Sequence, residues 1–281
     1  MSSRPTSTPA PSTSRPPTLR RDQVLVTVAA VIWLVGNLFG SGLLGSDEEV
    51  DDQAGGLFTD STTLIAPDGP AFSIWSVIYV LLGAYVIWQW VAADSRWAAV
   101  TRLPAAASIA LNGIWLAVVF ADWVLVSVLV ILGIAASLGF VLARTATLPS
   151  EGWAPTVFVS VTFGLYLGWI CVATCANIAS WLVGLGVPED GTGATVATVA
   201  VLLVVVGLVA FLLSRTRQPV FRAALAVAVV WGLSWVSWGR FTGDLENTVV
   251  GYAAAFAALC VGGLLVVFLL PQRRRDSGRV V

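Results

Sequence analysis

Eight apolar runs, each roughly the 17 to 25 residues a helix needs to cross hydrocarbon, decide what this chain can fold into. They lie at 23–44, 71–92, 104–121, 124–143, 155–184, 193–213, 219–239 and 249–270. Backbone groups in lipid must be paired within the segment, so runs of this kind become helices. The predicted fold class is an all-α polytopic membrane protein of about eight transmembrane helices. The first run is too long for the core of a signal peptide and is followed by no clear small-x-small cleavage site, so it reads as a retained span. Only Asp122-Trp123 separates the third and fourth runs, which predicts a tight helical hairpin instead of one long helix carrying Asp122 at mid-membrane.

Composition agrees and removes several chemistries. Of 281 residues, 57% are hydrophobic and 11% charged, where a soluble domain has about a quarter charged. All 15 basic residues are Arg, and there is no His, which removes the commonest metal ligand and the usual general base. Without His, a metal cluster or a buried carboxylate pair, conventional acid–base catalysis has no residues to run on, and no catalytic residue or metal ligand is assigned. Cys171, Cys175 and Cys260 all lie in apolar runs and form no CxxC, so they read as small packing residues. The Ser/Thr/Pro-rich residues 1–22 read as a disordered basic tail, and 271–281 as a second basic tail.

With the N-terminus inside, fourteen of the fifteen Arg fall on cytoplasmic segments and Arg240 alone lies outside. Both termini are therefore expected in the cytoplasm, with the chain in the inner (cytoplasmic) membrane. The first outer loop, Gly45 to Pro70, is the longest between two helices. Its first half is acidic, while Leu57-Phe58 and Leu64-Ile65 offer apolar contacts with which it can fold back as a lid.

The 13 Trp exceed what interfacial belts require. Trp97, Trp123, Trp153 and Trp90 stand at run ends, as belt residues do, whereas Trp33, Trp75, Trp115, Trp169, Trp231 and Trp235 lie inside runs. At helical spacing Phe72, Trp75, Tyr79, Leu82 and Gln89 share one face of the second helix, Ser108, Asn112 and Trp115 one face of the third, and Tyr166, Trp169, Ala173, Asn177 and Ser180 one face of the fifth. Trp231, Ser234, Trp235 and Trp238 do so on the seventh. The first helix groups Trp33, Gly36, Asn37 and Gly40, and its Gly36-x-x-x-Gly40 allows close backbone approach. Two readings stand: a bundle glued by interhelical amide bonds and filled by rings, or a pocket for a flat apolar ligand, stacked on indoles and oriented by a few hydrogen bonds.

Three of these faces resemble a known family. Pro70-Ala-Phe72-Ser-Ile-Trp75-Ser-Val-Ile-Tyr79, Leu111-Asn112-Gly-Ile-Trp115 and Tyr166-x-x-Trp169-x-x-x-Ala173-Thr174-x-x-Asn177-x-x-x-Trp181 are similar, in order, to the second, third and fifth helices of the tryptophan-rich sensory protein or translocator protein (TspO/MBR) family. Ser73, Leu165 and Leu116-Ala117 stand where short members carry Pro, Pro and Ser-Pro. The resemblance covers about residues 24–184, a five-helix bundle within 23–184, and leaves 185–270 as three additional helices. It implies binding, and with it sensing or transport, of a porphyrin or another tetrapyrrole, with no cofactor required. Light-dependent porphyrin degradation is the one enzymatic option it suggests. The implied ligand-binding set is Trp33, Trp75, Tyr79, Asn112, Trp115, Tyr166, Trp169, Ala173 and Asn177, of which Trp33 rests on helix geometry. The partners expected are a hydrophobic small molecule and the lipid bilayer, with no nucleic acid, and a homodimer is admitted without being required. A small-solute transporter using the extra helices is the alternative.

Overall fold

The structure is a computed structural model that describes residues 17–40 and 61–270. It contains eight helices long and apolar enough to span a membrane. They are α1 (Pro17–Gly40), α2 (Ile74–Val91), α3 (Arg96–Phe120), α4 (Val124–Thr145), α5 (Trp153–Gly184), α6 (Gly191–Arg215), α7 (Pro219–Thr242) and α8 (Thr248–Leu269). A turn of 3₁₀ helix, Gly69–Ser73, leads into α2, with Asp68 capping it through Gly69 N–H at 2.9 Å. The expected disordered tail and the first acidic loop fall mainly outside the described residues, as does the Leu57-Phe58 contact point. Residues 17–22, expected in the tail, form the first turns of α1.

Most helices lie where the hydropathy places them, and α3 shows the largest difference. It begins at Arg96, eight residues before the apolar run, because Ser95 caps it and the Arg102 side chain finds partners. Arg102, 1% exposed, donates from Nε to Gln89 Oε1 (3.1 Å) and from Nη2 to the carbonyls of Gln89 (3.0 Å) and Ala92 (3.3 Å) at the C-terminus of α2. A cation there satisfies terminal carbonyls and the negative end of the helix dipole. Gln23 on α1 joins through Nε2 to Gln89 O at 3.0 Å. A hydropathy window reads Arg96 and Arg102 as a break, yet Arg102 and Gln23, meeting at Gln89, stitch three helices together.

Trp97 corrects a second expectation. Instead of facing the interface it is 2% exposed, with Nε1 donating to Pro149 O at 2.9 Å, so it plugs the bundle end. Trp123 and Trp153, exposed by 62% and 72%, do stand at the surface. The α3–α4 hairpin forms as expected, with Asp122 at φ 57° making the reversal.

Five helices close a ring in the order α1, α3, α4, α5, α2. The α1–α3 and α3–α4 seams are close; α2 meets its neighbours at few backbone points and is held off by large side chains. At the α1–α3 crossing Gly36 faces Gly113, where a Cβ on Gly36 would come within 2.4 Å of Gly113 O. The first helix thus uses Gly36 against a glycine of α3, in the close packing that small residues allow.

The other three helices dock on the far side of α5. It is the most buried span, with 67% of its most apolar window inside. The contact is made chiefly by α7, which packs on α5 and in turn carries α8, while α6 packs on α8. A Cβ on Gly164 would meet Ala224 Cβ at 2.7 Å, and one on Gly168 would meet Leu225 O at 2.3 Å. Loops reinforce the joint, since Gln218 Nε2 donates to Leu148 O at 2.7 Å and Arg217 N to Ala146 O at 3.1 Å. Near its start α5 passes through a π-helical segment, Thr156–Val161, directly after Pro155, and Thr162 Oγ1 donates to Val157 O at 3.2 Å.

Gly168→Ala is expected to lower the melting temperature in detergent, at a cost of about 1–3 kcal/mol for overpacking against backbone. Gly139→Ala in α4, where a Cβ meets nothing within 4 Å, should be neutral or mildly stabilising. Equal melting of the two variants would contradict the tight α5–α7 seam.

Candidate functional site

The aromatic faces of α1, α2 and α5 meet inside the five-helix ring. Trp75 is the hub, with ring centroids 5.1 Å from Tyr79, 5.8 Å from Tyr166 and 6.1 Å from Trp169. Trp33 adds an edge contact to Tyr79 at 5.2 Å, and Phe72 one to Trp169 at 5.7 Å. Most of these pairs are edge-to-face, the arrangement that the ring quadrupoles favour. Helical spacing explains the convergence. Phe72 in the 3₁₀ turn and Trp75 and Tyr79 in the first turns of α2 project to one side, and Tyr166 and Trp169 from the facing side of α5.

Polar groups enter this apolar site at few points. Asn112 on α3 lies beside the Tyr79 and Tyr166 hydroxyls. The Tyr166 hydroxyl donates to Ser108 O at 3.3 Å, which ties α5 to α3. Three buried polar atoms nevertheless have no hydrogen-bond partner: Trp33 Nε1, Trp169 Nε1 and Asn112 Oδ1. Two donors and one acceptor within one aromatic cluster thus make no hydrogen bond of good geometry, although Trp33 and Asn112 stand beside the Tyr79 hydroxyl. Leaving such a group unpaired costs about 1–3 kcal/mol, which a ligand with complementary polar atoms would recover. Among the described residues the cation–π contacts are Arg215 with Phe211 and Arg222 with Phe268, both in the α6–α8 group. The residues named in the aromatic cluster are all neutral.

The expected site residues divide into two groups. Trp33, Trp75, Tyr79, Asn112, Tyr166 and Trp169 come together as described. Asn177 and Trp115 instead form a separate clamp further along α5. Asn177 Nδ2 donates to Ser127 Oγ on α4 at 3.0 Å, and its Oδ1 accepts from Ser127 Oγ (3.3 Å) and Trp115 Nε1 (3.4 Å). With its amide occupied on both atoms, Asn177 joins α3, α4 and α5. Ala173, half-buried against the core, sits on α5 one turn from each of Trp169 and Asn177.

Sequence reasoning missed Ser127 and Phe72 as participants. Phe72 was on the shared α2 face and could have been included. Ser127 had no signal beyond being a hydroxyl at the start of an apolar run. Cys171 is buried and Cys175 Sγ donates to Cys171 O at 3.3 Å.

Replacing Asn177 with Ala should reduce stability by about 1 kcal/mol, the usual scale of an interhelical bond in lipid. Ser127→Ala added to it should cost little more, because both remove the same bond. Additive losses in thermal melts of the two single variants and the double variant would show that the clamp is not one unit.

No curated protein and no solved structure matches the chain. The model of one family, described as TSPO-like protein, matches residues 23–268. That range takes in the five-helix ring and runs on through α6, α7 and nearly all of α8, so the last three helices lie inside the match and not beyond it. An all-helical chain whose aromatic, Asn-bearing faces follow the pattern recognised in its second, third and fifth helices, and which the family's model matches over most of its length, belongs to the TSPO-like protein family.

Proposed function

We propose that the aromatic cluster binds a flat, largely apolar ligand of the tetrapyrrole kind, with Trp75 and Trp169 on its faces and Asn112, Trp33 Nε1 and Trp169 Nε1 meeting its polar atoms. The observation that carries this reading is the set of three buried, unpartnered polar atoms within one ring cluster. A cluster built only for packing would be filled as well by Leu, which leaves nothing unpaired. Trp75 and Tyr79 are half-buried, so the cluster has an accessible side. The sparse backbone approach of α2 to its neighbours supports a site that opens by movement of α2, because rings separate more easily than interdigitated backbones.

The neutral lining restricts the ligand. A carboxylate moved among these rings would have no cation to meet and would lose several kcal/mol of hydration. A porphyrin therefore inserts its macrocycle and leaves its acidic edge in water.

The arginine distribution supports cytoplasmic termini, which puts the segment before α2 on the outer side of the membrane. Small-solute transport gains no observation of its own. Arg102 and Arg240, the buried cations, both stand near helix ends and donate to backbone carbonyls.

The test is titration of the detergent-solubilised protein with protoporphyrin while following tryptophan fluorescence. Trp169→Phe combined with Asn112→Ala removes one stacking indole, its N–H and the orphan acceptor, and should weaken binding by about tenfold or more. Affinity unchanged by that pair of substitutions would show that this cluster is not the site. Asn177→Ala, acting on the clamp, should change affinity far less than it changes stability.

A further inference from the structure

Residues 61–68 form a loop, yet Thr63, Leu64, Ile65 and Ala66 are only 2–6% exposed. A buried loop must satisfy its backbone polar groups somewhere, because no helix or sheet ladder does so for it. Here the partners come from α7. Asp68 N donates to Trp235 O at 3.3 Å, Arg240 Nη1 donates to Thr63 O at 3.4 Å, and Trp231 Nε1 donates to Ala71 O at 2.9 Å. Gly239 completes the seat, since a Cβ there would stand 3.3 Å from Asp68 Cβ. Four positions on about two and a half turns of one helix, Trp231, Trp235, Gly239 and Arg240, thus hold a stretch of nine residues, Thr63 to Ala71. The next residue, Phe72, touches Trp169 at the ring cluster.

We propose that α7 is the anchor of this outer segment, and that the helices beyond the five-helix ring keep the segment seated over the aromatic cluster and control access to it. The contacts are of the kind that permits control. Three of them are hydrogen bonds to backbone carbonyls at the loop's edge, whereas α7 itself is fixed to α5 by the glycine seam. The segment can lift while the helices stay in place. Access control rests on reading the cluster as a ligand site; the anchor itself does not.

Two variants separate these statements. Trp231→Phe keeps the ring and removes the N–H that Ala71 O accepts, at a position 38% exposed. Arg240→Met removes the guanidinium from Thr63 and keeps most of its length. Trp238→Phe, on the same helix and 56% exposed, is the control. Hydrogen–deuterium exchange of peptides covering 61–73 should speed up by about tenfold in Trp231→Phe and Arg240→Met and stay unchanged in the control. Stopped-flow quenching by protoporphyrin should show faster association in the same two variants. Unchanged exchange in both would overturn the anchor. Faster exchange with unchanged association would overturn access control while leaving the anchor standing. Absence of any quenching in the parent protein would count against the ligand reading and against access control, with exchange still deciding the anchor.

Discussion

The architecture depends on the way α5 divides its surface. Gly164 and Gly168, four residues apart, let the α7 backbone approach so closely that even a methyl group would collide with it. Tyr166 and Trp169 point elsewhere, into the ring of helices. Lipid supplies no hydrophobic drive between helices, so association rests on close packing and on interhelical hydrogen bonds. One side of α5 supplies the packing and the other carries the large rings, which stand between it and α2. Because α7 is fixed to the first side, it is in register to hold the segment that leads into α2 on the second.

Unpaired polar atoms are the counterpart of that close packing. Many buried polar side chains find partners elsewhere: Arg102 with Gln89 and two carbonyls, Asn177 with Ser127 and Trp115, Tyr85 with Thr101 at 3.0 Å. A fold that satisfies these groups across three helices shows that the sequence can pair its amides and indoles in lipid. Gln23 Oε1, Thr63 Oγ1, Thr174 Oγ1 and Arg240 Nε also lack a hydrogen bond but lie on separate elements, whereas Trp33, Trp169 and Asn112 group around Trp75 and Tyr79, and that grouping supports the proposal that the cluster is a site.

Much of this was legible before any coordinates. Hydropathy gave the number of spans, and helical spacing gave the faces that meet at Trp75 and Tyr79. What periodicity could not give was which of two similar asparagines would keep an amide oxygen without a hydrogen bond. Asn112 and Asn177 both lie on aromatic faces, and the difference comes from neighbours on other helices: two tyrosine hydroxyls beside one, Ser127 against the other. The early start of α3 was hidden because hydropathy counts Arg102 as a penalty, whereas the α2 C-terminus supplies carbonyls to receive it. Trp97 was misplaced for a similar reason, since a position at a span end does not reveal that Pro149 O waits for its N–H. The contacts of α7 did leave traces, in Gly164-x-x-x-Gly168 and in Arg240 as the one arginine that the charge pattern expects outside, but these needed the fold to connect them.

Circular dichroism in the Soret region, recorded while protoporphyrin is added to the purified protein, tests the central claim most directly. An achiral macrocycle acquires a signal there only when a chiral site holds it in one orientation. The account predicts an induced Soret band that saturates with ligand and collapses when Trp75, the hub of the cluster, is replaced by Leu. A spectrum indistinguishable from porphyrin in empty micelles, or a band that survives Trp75→Leu unchanged, would contradict it.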